Sequence, residues 1–156
     1  MKLITYSYEG ATHVGALVNE GEVARLNAPD MLTLLGGGEA ALKQARETVA
    51  AGGARVPLSA VKVHAPIPRP GKIICIGLNY SDHAAETGQP IPTYPIVFAK
   101  YANTVIADGE AIVLPKVTQQ VDYEAELGFV MGKTARHVKA ADALSYVAGY
   151  LPINDV

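Results

Sequence analysis

A single cysteine among 156 residues leaves no possibility of an internal disulfide. Cys75 lies within the apolar run Ile73-Ile74-Cys75-Ile76, which reads as a small buried hydrophobe in a strand rather than a thiolate nucleophile. No apolar run approaches the roughly 18 residues that a membrane span needs. The opening residues, Met1 to Tyr8, lack a signal-peptide core, so a reducing, cytoplasmic setting is expected and a membrane partner is not. Basic character is also scarce: 13 Lys and Arg against 15 Asp and Glu give a net charge of −2. They form no stripe or cluster, which argues against nucleic acid as a partner. The eight tyrosines are not interleaved with basic residues and read as packing rather than a base-stacking platform. Gly36-Gly37-Gly38 has no Gly-Lys-Ser or Gly-Lys-Thr continuation and reads as a helix stop, not a phosphate cradle.

What is present is apolar material for a real core, 49% of the residues, on a chain of ordinary domain length. Residues 3–8, 13–18 and 22–26 read as an antiparallel meander with turns at Glu9-Gly10 and Asn19-Glu20-Gly21. Helical patterning follows over 31–35 and 39–51, stopped by Gly52-Gly53. Pro66-Ile67-Pro68-Arg69-Pro70-Gly71 can continue neither element. It separates a small N-terminal α/β cap, 1–65, from a β-rich unit, 66–156. That unit is expected to hold strands at 72–76, 96–100, 104–106 and 111–114, the last two joined by an Asp108-Gly109 turn. A short helix follows Asn79 or Ser81 as its cap and stops at Gly88. The fold class is α+β, rich in strand.

Within the second unit, Asp122-Tyr123-Glu124-Ala125-Glu126-Leu127-Gly128-Phe129-Val130 alternates acid and apolar residues, which predicts a strand. A period of 2 sends Glu124 and Glu126 to one face about 7 Å apart and an apolar face toward a core. Two carboxylates so placed repel, and on an enclosed face they call for a positive partner or a metal. His83 and Glu86, spaced i and i+3 in the short helix, share a side and can hydrogen-bond. Taken singly, each motif is most often a solvated polar face. His13, His64 and His137 have no acidic or thiol partners nearby in sequence and receive no role.

The ordered run Gly77-x-Asn79-Tyr80-x-x-His83-x-x-Glu86, Pro95-x-x-Phe98-x-Lys100, Asp122-Tyr123-Glu124-x-Glu126-Leu127 and Tyr146-x-x-Gly149-Tyr150 before Asn154-Asp155-Val156 resembles the fumarylacetoacetate hydrolase family over residues 66–156. The resemblance implies a mixed β-roll, of which this chain would hold the first part. It implies Mg²⁺ or Mn²⁺ on Glu124, Glu126 and Asp155, a water-activating His83–Glu86 pair on a lid, and Lys100 near the substrate. The implied substrate is a small 2-oxo acid, with hydrolytic carbon–carbon cleavage of an acylpyruvate first and decarboxylation or isomerisation second. A homodimer is implied for the full-length protein. Members of the family usually continue beyond the Asn-Asp-Val stretch, so the chain is expected to be a fragment and inactive alone. A domain of a different class, in which the carboxylates hold a structural cation or form a polar strand face, is the remaining alternative.

Overall fold

The computed structural model describes residues 1–156. Strands β1 (Lys2–Tyr8), β2 (Ala11–Leu17) and β3 (Glu22–Arg25) form the expected meander. The first turn works because both Glu9 and Gly10 have positive φ, 48° and 81°, the backbone of a two-residue hairpin whose twist matches its strands. Helix α1 (Met31–Gly36) follows, its first turn closed by the Thr33 N–H donating to the Asp30 carboxylate at 2.7 Å, and then α2 (Gly38–Ala50). Two strands not anticipated from the sequence, β4 (Arg55–Pro57) and β5 (Lys62–His64), complete an antiparallel sheet in the order β4-β3-β2-β1-β5. At three residues each they are too short to show a period. Val14 and Ala16 of the sheet, Leu26, and Met31, Leu34, Leu35 and Ala45 of the helices form the core.

The remaining elements are two hairpins and a short helix. Strand β6 (Ile73–Gly77) pairs antiparallel with β7 (Ile96–Lys100), with α3 (Ser81–Glu86) between them. Strand β8 (Glu124–Met131) pairs with β9 (Val147–Asp155). Their register slips between Val130 and Met131, leaving Ala148 as the extra residue of a bulge. Val130 and Ala148 both pack on the core, so this end of the hairpin is fixed to the first 65 residues.

Several expectations are corrected here. The face of β8 bearing Leu127 and Phe129, expected to enter a core, lies open, with the two side chains 65% and 59% exposed. Apart from Met1 and Leu32, every large exposed hydrophobic residue lies at or beyond Ile74. Residues 104–106 and 111–114 form no strand; their apolar character finds no pairing edge, and pairing rather than propensity makes a strand. The Asp108-Gly109 turn is present, with Gly109 at φ 76°. Helix α3 starts after Tyr80 with no side-chain cap, so neither Asn79 nor Ser81 caps it; the Asp82 carboxylate instead accepts the His83 N–H at 2.9 Å. Cys75 is half-buried rather than part of a core.

Candidate metal and active site

Cross-strand register decides which side chains meet. Glu124 lies directly opposite Asp155, and Glu126 opposite Ile153. Directly opposed residues share a face and successive residues alternate, so Glu124, Glu126 and Asp155 stand together on one side of β8–β9. Pro152 lies opposite Leu127, where no ladder donor is available from it. On the other edge of β8 the Leu127 N–H donates to the Tyr80 hydroxyl at 3.4 Å, which ties the start of α3 to the carboxylate strand. Across the acid face lies the β6–β7 hairpin. On its inner side are Cys75 and Lys100, and the Lys100 ammonium forms an ion pair with the Asp155 carboxylate.

The electrostatics follow from this enclosure. Burial pushes the Glu126 carboxyl above its ordinary value, and Asp155 and Glu124 push it further in the same direction. The Lys100 amine is raised chiefly by its hydrogen bond to Asp155. Burial raises the Cys75 thiol, with Asp155 adding to the effect, which makes it a poor nucleophile. The donor set is therefore hard oxygen, the kind that Mg²⁺ and Mn²⁺ take. A face with three carboxylates and one ammonium still carries an excess of negative charge, so a divalent cation fits its chemistry. As the side chains stand, no three acidic, histidine or cysteine residues are close enough to hold one ion.

His83 and Glu86 are both on α3 and both exposed. They share no hydrogen bond; the His83 carbonyl accepts from Thr87 at 2.8 Å. Only Ala84 of this helix is buried, so one small side chain and the Tyr80 hydroxyl seat it beside β8. Gly88, at φ 64°, turns the chain out of the helix. Tyr80 stood in the sequence motif without a role, and its hydroxyl could be placed only once β8 had a free edge. His64 is a further omission: its Nε2 lies 2.6 Å from Ser7 Oγ. Beside it the Lys62–Glu110 ion pair, 3.0 Å, joins the sheet to the 107–110 turn. Ser7 and Glu110 are far from His64 in sequence, so a local reading could not find them.

The architecture is strand-rich α/β, one five-stranded antiparallel sheet and two antiparallel hairpins with short helices. A family model described as "Fumarylacetoacetate (FAA) hydrolase C-terminal" matches residues 72–156, and the chain belongs to the fumarylacetoacetate hydrolase family. It is 42% identical over 144 residues, 88% of its length, to the human protein named "Oxaloacetate tautomerase FAHD2A, mitochondrial". A Dictyostelium discoideum relative, named a fumarylacetoacetate hydrolase domain-containing protein 2 homolog, is 51% identical over 102 residues, 65% of this chain and 33% of the relative. The chain spans about half the length of the curated relatives it matches, 46% of the human protein. Among solved structures, maleylpyruvate hydrolase from Sphingobium sp. SYK-6, in complex with manganese(II) and pyruvate, superposes with a TM-score of 0.80 at 28% identity, covering 99% of this chain and 58% of that one. A probable 2-hydroxyhepta-2,4-diene-1,7-dioate isomerase from Mycobacterium abscessus gives 0.73 at 29%, covering 99% and 52%. Family members thus include hydrolases, isomerases and tautomerases. No helix of this chain is long and apolar enough to cross a membrane.

Proposed function

We propose that the chain carries the metal-holding face of an enzyme acting on small 2-oxo acids, with keto–enol interconversion of a 2-oxo dicarboxylic acid as its reaction. The observation that carries the reading is the joint placement of Glu124, Glu126 and Asp155 on one sheet face, with α3 tied to the same strand. The three carboxylates would hold Mg²⁺ or Mn²⁺. A bound ion of this kind supplies Lewis acidity toward the carboxylate and keto oxygens of a 2-oxo acid. His83 acts as the base that moves a proton between C3 and solvent, an imidazole being suited to both halves of that exchange near neutral pH. Glu86, one helical turn on, orients the imidazole when α3 closes. Lys100 offers an ammonium to the substrate carboxylate. Tautomerisation leads because the relatives at about 40% identity bear that name.

Hydrolysis of an acylpyruvate is the second reading, favoured by the TM-score of 0.80 to a maleylpyruvate hydrolase. There His83 would take its proton from water attacking the distal carbonyl. Calorimetric titration with Mn²⁺ tests the site: binding should be lost in Glu124→Ala and Glu126→Ala, and undiminished affinity in both would refute it. Decay of enol-oxaloacetate absorbance against pyruvate release from acylpyruvates separates the two reactions. Replacing His83 by Ala should lower either by roughly 10² or more while sparing Mn²⁺ binding.

A further inference from the structure

We propose that Lys100 is a displaceable counter-cation of the acid face: its ammonium holds the Asp155 carboxylate until a divalent ion takes that carboxylate over, which frees the amine for an anionic substrate. The inference rests on the metal reading above and adds an order of events to it. Five ion pairs join side chains of the chain, and in the other four both partners are at least 37% exposed. Lys100 and Asp155 are 31% and 14% exposed, so this pair is the most enclosed of them and the least weakened by solvent. It is also the only one that reaches a proposed metal ligand.

Three facts make the pair an exchange device rather than a fixed brace. Glu124, Glu126 and Asp155 crowd one face, and like charges so close need a positive partner whenever no metal is bound. Lys100 is the last residue of β7 and belongs to the opposite hairpin. Its flexible four-carbon stem carries a compact charge that can withdraw without moving a strand of the acid face. Finally, no trio of side chains is poised to chelate as the face stands and Asp155 is held by Lys100, so in this proposal Asp155 changes partner as the three-carboxylate set closes. The released ammonium then stands at the rim of the site, where a 2-oxo acid presents its carboxylate. Metal would bind first and the anion second, because before metal arrives the only nearby ammonium is already engaged.

The test compares Mn²⁺ titrations of the unaltered chain, Lys100→Met and Lys100→Arg at one pH and ionic strength. Removing the competing charge should tighten Mn²⁺ binding on the order of tenfold, while Lys100→Arg should follow the unaltered chain. Equal or weaker binding in Lys100→Met would mean that the lysine orients Asp155 rather than competing for it, and would overturn the proposal. If none of the three binds Mn²⁺, the metal reading itself fails and takes this inference with it. Amine-reactive labelling of Lys100, quantified by mass spectrometry on the unaltered chain, decides the matter should Lys100→Met fail to fold. Labelling should rise several-fold on addition of Mn²⁺, and an unchanged rate would overturn the exchange.

Discussion

Replacing Gly15 by Ala should destabilise the chain, although the loss of a glycine's freedom in the unfolded state would by itself stabilise it. A Cβ at this position would stand 2.5 Å from Val23 Cγ1, 2.8 Å from Tyr6 Cε1 and 3.0 Å from the Ala24 carbonyl oxygen. Tyr6 and Val23 are among the largest fully buried side chains of the molecule, and neither has space into which to retreat. The ring of Tyr6 also lies against His13, tilted by 49° with centroids 5.5 Å apart. Overpacking of this kind costs about 1–3 kcal/mol. At roughly 2–4 °C per kcal/mol for a chain of this size, the melting temperature should fall by about 2–12 °C. Gly36→Ala is the control. It ends α1 with nothing within 4 Å of its Cβ, so it should stabilise by about 0.5–1 kcal/mol. Thermal melts followed by circular dichroism, with urea titrations beside them, read both signs. A Gly15→Ala chain melting at or above the unaltered one would refute the packing described for β1, β2 and β3.

Further outcomes follow from the loops and from α3. The Glu110 carboxyl is held below its ordinary 4.5 by the Ala107 N–H and then by Lys62. A depressed carboxyl stabilises the folded state above its unfolded value and loses that contribution as pH falls through the folded one, so the protection factor of the Ala107 amide, measured against its intrinsic rate at each pH, should fall below about pH 4.5, and this fall should be absent in Glu110→Gln. Tyr80→Phe should speed exchange of the Leu127 amide by an amount matching about 0.5–1.5 kcal/mol; no change would mean that the 3.4 Å contact does not hold the edge. Ala84→Leu places a large side chain where only a methyl is buried and should unseat α3, read as faster exchange across residues 81–87 with α1 and α2 unaffected.

The sequence was most readable where a local rule has a local answer. Glu9-Gly10 had to turn, Gly52-Gly53 had to stop a helix, and the alternation from 122 to 130 could only be a strand. Family spacing then drew His83, Glu86, Lys100, Glu124, Glu126 and Asp155 into one reading, and the fold places the last four on facing hairpins. It failed where the answer depends on a distant partner. Residues 104–106 and 111–114 carry strand-forming side chains but meet no edge, while Arg55–Pro57 and Lys62–His64 are unremarkable in sequence and are strands because β3 and β1 offer edges. The Lys100–Asp155 pair depends on two hairpins lying face to face, which no window of sequence contains.

Those two hairpins are inverted relative to an ordinary sandwich, with charge turned inward and residues such as Ile74, Val97, Leu127 and Phe129 turned out. Added salts should therefore act on them in two opposing ways. Sodium chloride shortens the reach of the charges between the hairpins and should loosen their grip on one another. Sulfate does the same to the charges but also raises the cost of wetting the outer faces, driving those faces together between molecules. The chain should thus tolerate chloride in solution while changing its internal contacts, and should be salted out by sulfate at concentrations that leave a protein with a polar exterior dissolved.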